Sequence, residues 1–393
     1  MPAPQTAFFH FLPSIRSLSP LALAVIFLIQ TPTVKAAIPG AAGNGITDDT
    51  LAIQNAINAL PASGVLDGNN ATYLVGTLNL KSKMTFQNFS LKTHASSVPL
   101  TSPVTLDGTV KAISQVTIIN VNVDGNRAQQ TNLLTSEDGG RFGFRIVGVA
   151  SDILIVGSSA SNCATDGLEI FSDDAVAPPG ALNFANIFVI NSKFQNNRRH
   201  GVSVDSLQNG QFIGDTFTSN GLPSPITSGT PTEGQSAYLV GGMLYGAGLV
   251  FESYNNQTGF NGLLVKGCTS TGNARFGIQF WDPDSPASSG FVPRSHIRIE
   301  GCTLDGGVSP TTGHQALEFN IVPNYLGAGF TYQDLTLANN IVRGTLIINA
   351  SSGVAITGGT IISPYPGFYG IATASQNIAI TGVNSQGKIF VEE

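Results

Sequence analysis

The chain runs to 393 residues with 11% charged side chains, 42% hydrophobic ones, 45 glycines and a net charge of −6. Its apolar content suffices for a large core, which excludes a disordered chain. The acidic balance, with no basic run and no aromatic-interleaved basic patch, excludes nucleic acid as an expected partner.

At the amino end Arg16 precedes an unbroken apolar run, Leu21–Ile29, and Val34-Lys35-Ala36 supplies a small-residue cleavage site before Ala37. The run is too short to span a bilayer. Residues 1–36 are therefore expected to be a signal peptide. The mature chain, 37–393, is expected to be exported, extracellular or periplasmic, with no membrane association after cleavage. Length alone suggests two or three domains, but repeat architectures of this size fold as one body.

The first predicted element is a helix over about 46–60, capped by Asp48 or Asp49. Leu51, Ala52, Ala56, Ile57 and Leu60 give it one apolar face, and Pro61 and Gly64 stop it. Short strands follow at Val65–Gly68, Tyr73–Gly76 and Leu78–Leu80. The segment Ala41–Thr50 (AAGNGITDDT), continued by Ala52–Ile57 (AIQNAI), Gly64 and Thr72–Val75, resembles the opening of the pectate-lyase-superfamily β-helix domain. That resemblance implies an all-β fold: a single-stranded right-handed parallel β-helix, a solenoid whose amino end is closed by the short capping helix. An open coil end would otherwise expose unpaired strand backbone. The superfamily includes polysaccharide lyases, glycoside hydrolases and phage tailspikes. The resemblance thus implies a polysaccharide partner and a monomer or homotrimer, without selecting the chemistry.

Further along, six stretches align: Phe142–Val147, Asp166–Phe171, His200–Asp205, Ala247–Glu252, Phe276–Trp281 and Gln315–Asn320. Each places glycine second (Ala316 in the last), then alternates apolar and variable residues, which marks a coiled repeat of strands. Alternation turns the third and fifth positions inward and leaves the fourth and sixth as two outward rows. One row is Arg145, Glu169, Ser203, Val250, Gln279 and Glu318; the other is Val147, Phe171, Asp205, Glu252, Trp281 and Asn320. Both rows are expected to face solvent. A second strand family, at Val116–Ile119, Ile153–Val156, Ile187–Ile190, Leu263–Lys266, Ile297–Glu300 and Ile378–Thr381, is commonly followed by glycine or asparagine suited to tight corners. Cys163, Cys268 and Cys302 sit in similar Cys-x-x-x-Gly contexts, which predicts one shared inward corner filled by a small hydrophobe. Their spacing supports no metal site. The long loop insertion at about 222–246 would overhang the rows as a lid or a spacer. Lys388–Glu393 is expected to cover the last coil.

Neighbouring parallel strands lie about 4.8 Å apart. Asp205 and Glu252 thereby become adjacent carboxylates, with oxygens roughly 5 Å apart, near the spacing of retaining glycoside hydrolysis. So close a pair raises one pKa and yields an acid beside an ionised partner. The same pair suits a solvated or Ca2+-bridged role; no other cofactor and no metal-ligand motif is expected. Trp281, the sole tryptophan, continues the row and offers a stacking face to a sugar ring. His200 falls beside Asp166 one rung away, a contact that would raise the imidazole pKa and orient a general acid or base. With Glu169, these form the candidate catalytic set: Asp205, Glu252, His200 and Glu169. Arg199 and Arg145 could hold a uronate carboxylate, or could neutralise Asp166, Glu169, Asp173 and Asp174. Tyr254 and Asp173 join Trp281 and the arginines as candidate substrate contacts. Lys266 aligns with Glu300 and is expected to form a surface ion pair.

Asp166-Gly167, Asp173-Asp174 and His200-Gly201 resemble elements of the polygalacturonase family with altered spacing. Asn197–Gly201 (NRRHG) resembles an element of alginate epimerases without that group's acidic companion. Neither mechanism is carried over. The leading expectation is a secreted carbohydrate-active enzyme that cleaves glycosidic bonds in a polysaccharide, uronate-containing polymers included, by hydrolysis or β-elimination. Two alternatives stay open: a non-catalytic glycan-binding or tailspike-like protein, and a uronan epimerase.

Overall fold

The computed structural model describes residues 38–95, 102–130, 141–171, 183–221, 246–252, 259–282, 294–307, 315–321, 332–348, 351–362, 370–371, 375–386 and 390–391. The expected signal peptide and residues 222–245 of the long insertion lie outside the described residues. Among those described, no helix is long and apolar enough to cross a membrane.

The strands stack as three parallel ladders, walls A, B and C, visited in that order on each turn of a right-handed parallel β-helix. Wall A stacks Leu78–Asn79, 104–108, 144–148, Leu168–Phe171, Val202–Val204, Ala247–Glu252, Phe276–Asp282, Gln315–Ile321, Thr345–Ile348, Gly370–Ile371 and Phe390–Val391. The expected cover at the carboxyl end is thus corrected: Phe390–Val391 is itself a wall strand. Wall B holds the second strand family, from Gly64–Asp67 to Gln376–Thr381. Wall C is made largely of three-residue strands such as Ser159–Ser161, Lys193–Gln195, Thr216–Thr218 and Thr269–Thr271. Lys266 and Glu300 are wall-B partners with an ion pair at 3.8 Å.

Inward side chains form one continuous core. On wall A it includes Val204, Phe251 and Phe280, the last two stacked with ring centroids 4.4 Å apart. Several of the described corners turn on one residue in the left-handed region. Gly267 and Gly301 supply it between walls B and C, and Asn162, Asn196 and Ser219 between walls C and A. This separates the cysteines. Cys268 and Cys302 follow glycines of the B–C corner, where the Cys268 N–H donates to Cys302 Sγ at 3.4 Å. Cys163 follows Asn162 in the C–A corner, where its N–H donates to Asn197 Oδ1 at 3.0 Å. One shared corner is therefore incorrect, because both corners follow a left-handed residue with an inward side chain and look alike in sequence. All three are buried free thiols, as small core residues should be.

The C–A corner also explains the glycine column. These glycines lie where successive rungs approach most closely. A Cβ on Gly201 would stand 2.4 Å from the Gly248 carbonyl oxygen, and one on Gly277 would stand 2.5 Å from that of Ala316. Beside them runs a buried asparagine ladder. Asn220 Oδ1 accepts the Asn197 N–H at 3.1 Å, and Asn273 Oδ1 accepts the Asn220 N–H at 3.1 Å. The side chains thereby satisfy corner amides that no wall strand reaches.

Helix α1 spans Thr50–Ala59, shorter than expected, since Asn44–Asp48 is the first strand of wall C. Ile53 and Ile57 are its buried residues, whereas Leu51 is 71% exposed, so the apolar face is rotated from the expected one. Asp48 Oδ1 accepts the Thr50 N–H at 2.9 Å. Asp49 instead accepts the Ala42 and Gly43 N–H groups at 2.6 and 3.0 Å. Gln54 closes the edge of wall A: its Nε2 donates to the Asn79 carbonyl at 3.1 Å, and its Oε1 accepts the Asn79 N–H at 2.8 Å.

Candidate functional site

Val202, Val204, Leu249, Phe251, Ile278 and Phe280 all enter the core. Alternation therefore turns the intervening wall-A residues outward. Arg145, Glu169, Ser203, Val250, Gln279 and Glu318 are successive ladder partners. In the other row Val147 pairs with Phe171, and Glu252, Trp281 and Asn320 pair in series. Asp205 directly follows Val204, the partner of Phe251, and its N–H donates to the Ile170 carbonyl at 2.9 Å. Asp205 and Glu252 are consequently neighbours on one wall.

They are not solvent-facing. Asp205 is 6% and Glu252 9% exposed, and Glu169, Ser203 and Gln279 are also buried; among the row residues whose side chains are described, Arg145, Phe171 and Trp281 are half-buried. The expectation of an open outer row is thus corrected. Burial of acids on this face is tolerated where cations meet them, as the pairs of Glu169 and Asp166 show. Arg145 Nε donates to Glu169 Oε2 at 2.9 Å. Arg199 Nε donates to Asp166 Oδ1 at 2.9 Å and its Nη2 to Oδ2 at 2.5 Å. Of the two uses open to the arginines, neutralisation within the chain is the one seen: Arg199 pairs with Asp166 of the preceding rung and Arg145 with Glu169 of the following one.

His200 departs from expectation. Asp166 Oδ1 accepts the His200 backbone N–H at 2.8 Å, so its partners are that amide and Arg199. The imidazole Nδ1 accepts the Ala247 N–H at 3.0 Å from the next rung. Burial pushes the ring down to about 3, opposed by Asp166 and assisted by Arg199 and Arg275. The expected rise in the His200 pKa is therefore overturned, because desolvation outweighs the nearby carboxylate. His200 is neutral, with its proton on Nε2.

Glu169 shows the opposite behaviour. Burial raises its carboxyl to about 7, although Arg145 and Arg199 both pull it down. For Arg199, burial acts downward but the carboxylates of Asp166, Glu252 and Glu169 push its pKa further up. Glu252 is thus within electrostatic reach of the same guanidinium as Asp166 and Glu169. Sequence reasoning named Asp166 as a carboxylate that the arginines could neutralise, and Arg199 pairs with it. The signal for this pairing was present in the alignment of Asp166-Gly167 with His200-Gly201, which puts Asp166 one rung from Arg199. Tyr254, Asp173 and Asp174 lie outside the described residues. Among the described residues, no group of three or more His, Cys, Asp or Glu side chains could hold a metal ion.

Chemically, the arrangement offers one carboxyl that is protonated near neutrality, two adjacent carboxylates on the following rungs, and an indole in the same row. No curated protein matches the chain. Among solved structures, the gene product 12 N-terminal fragment of bacteriophage Phi29 is similar with a TM-score of 0.61 and 16% identity, covering 92% of this chain. The chain spans 59% of that fragment's length. The A-module of mannuronan C-5 epimerase AlgE6 from Azotobacter vinelandii is similar with a TM-score of 0.47 and 14% identity, covering 88% of this chain and 97% of that one. The surface adhesin PfbA of Streptococcus pneumoniae is similar with a TM-score of 0.48 and 13% identity, covering 90% of each chain. At 16% identity the likeness to the Phi29 fragment is one of fold. The model of the right-handed β-helix region matches residues 106–365, more than half of the sequence, and the chain belongs to that family.

Proposed function

We propose that the chain is an exported carbohydrate-active enzyme that cleaves glycosidic bonds in a polysaccharide, centred on Glu169, Asp205 and Glu252 of wall A. The observation that carries this reading is the placement of these three carboxyl groups on consecutive rungs of one wall. Strand geometry sets the Cα atoms of Glu169 and Asp205, one rung and two residues apart, at about 8 Å. Asp205 and Glu252 are one rung apart. Side chains extending from Cα atoms so placed can bring a carboxylic acid and a carboxylate to the roughly 5–9.5 Å carboxyl spacing that glycoside hydrolysis uses.

Glu169 is the candidate acid. Held protonated up to about 7, it can donate to the leaving glycosidic oxygen. Asp205 and Glu252 are the candidates for the nucleophile or for the base acting on water. Trp281, half-buried beside Glu252 in the row, offers its indole face to a sugar ring. His200 is a positioning residue, clasping the Ala247 amide that opens the next rung.

A second reading, glycan binding without turnover, is favoured by the low exposure of Asp205 and Glu252. Release of reducing ends from a polysaccharide panel separates the two. Glu169→Gln, Asp205→Asn and Glu252→Gln should each lower turnover by about 10²–10⁴-fold while the circular dichroism spectrum is unchanged. Activity should also decline as pH rises through about 7, where Glu169 loses its proton. Full activity in all three variants removes the site assignment, and glycan affinity without product favours the binding reading.

A further inference from the structure

Resting on that reading of wall A, we infer that the polysaccharide is built of uncharged sugars and that uronate polymers are excluded from the site. A uronate carboxylate must be met by a cation, and a guanidinium serves best because it binds bidentately. The guanidinium groups on the rungs around Glu169 are already engaged within the chain, the buried Arg141 donating to Gln130 Oε1 at 3.0 Å and the buried Arg198 to the Ala164 carbonyl at 3.4 Å. Arg199 grips both oxygens of the fully buried Asp166, and Arg145 donates to Glu169. A further one, Arg275 at the start of the strand that carries Trp281, lies over the Phe276 ring at 4.5 Å.

The carboxylates tell the same way. Asp205 and Glu252 stand beside these pairs on the same wall, so a uronate carboxylate seated against them meets like charge. Like charges set against one another in a shielded place cost several kcal/mol. The net charge of −6 gives no long-range attraction to offset this. A neutral ring meets no such cost: its hydroxyls can accept from or donate to these groups, and its apolar face suits Trp281.

The test uses the full chain with neutral polymers (a β-glucan, a galactan, a mannan) and with polygalacturonate and alginate. Reducing ends and the ultraviolet absorbance of unsaturated products are followed together. Cleavage of a neutral polymer at a kcat/KM at least about 100-fold above any uronate polymer is expected. Comparable or faster cleavage of a uronate polymer overturns this inference and leaves the wall-A enzyme reading standing. No product from any polymer overturns both.

A binding arm reads the cause directly. Above pH 7, where Glu169 is ionised, Glu169→Gln removes the carboxylate that holds Arg145, so affinity for a tetragalacturonate, measured by calorimetry at pH 8, should rise by about 10-fold and fall again with added salt. Wild-type affinity for that uronate equal to its affinity for a neutral tetrasaccharide, or no gain in the variant, refutes pairing as the source of exclusion.

Discussion

At the scale of single residues, two buried titratable groups on neighbouring rungs move in opposite directions. His200 holds its folded pKa at about 3 against an ordinary 6.5. The unfolded chain therefore takes up that proton first, and the contribution of His200 to stability is complete above about 6.5 and lost as pH falls toward 3. Glu169 rises from 4.5 to about 7, so its contribution is complete below 4.5 and lost as pH rises through 7. Between about 4.5 and 6.5 the two slopes oppose each other. His200→Asn, which keeps an acceptor for the Ala247 N–H, should remove only the acid-side slope. Urea midpoints of the variant are expected to fall less than those of the wild type between pH 6.5 and 4. Parallel midpoints across that range would show that His200 is not held neutral by burial. The neighbourhood of His200 and Asp166 was legible from the aligned Asp-Gly and His-Gly pairs. Which atom Asp166 takes was not, since the choice of the backbone amide over the ring depends on how the corner turns.

At the scale of elements, walls A and B were legible because their strands are long enough to show inward alternation of large apolar residues. Wall C left little trace beyond Tyr73–Gly76: Lys193–Gln195 or Thr216–Thr218 places a single phenylalanine inward, and one residue has no period. The glycine column was visible in sequence, but its cause is the approach of successive rungs at the C–A corner rather than backbone conformation. Gly201→Ala is accordingly expected to destabilise by about 1–3 kcal/mol through overpacking, because its Cβ would meet the Gly248 oxygen at 2.4 Å and Asn220 Nδ2 at 2.9 Å. Gly76→Ala, whose Cβ would meet nothing nearer than 3.7 Å, should stay close to neutral. Equal denaturation midpoints for the two variants would remove close stacking as the reason for the column. The adjacency of Asp205 and Glu252 followed from the same alternation. Their burial did not, because a one-dimensional pattern separates inward from outward but carries no information on what surrounds the outward face.

At the scale of the whole molecule, a parallel coil has two ends, each a row of unpaired strand amides and carbonyls able to recruit another chain. Here the amino end is closed chemically as well as sterically. Gln54 satisfies both backbone groups of Asn79, Thr50 Oγ1 accepts the Gly76 N–H at 2.7 Å, and Ile53 and Ile57 cover the core beneath. The helix was legible from its amphipathic spacing, and its role as a cap was what the resemblance of Ala41–Thr50 to the opening of a β-helix domain implied. The division of labour between polar side chains and apolar burial can be measured. A double variant, Thr50→Val with Gln54→Leu, keeps the apolar face of α1 and removes the hydrogen bonds to the wall-A edge. Its weight-average mass in sedimentation should rise with concentration above that of the wild type, with a smaller change in thermal midpoint than replacing Ile53 by alanine produces. If the double variant sediments as the wild type does, burial of Ile53 and Ile57 alone closes the end. The side-chain bonds to Asn79 and Gly76 would then serve only to orient α1 across the first coil.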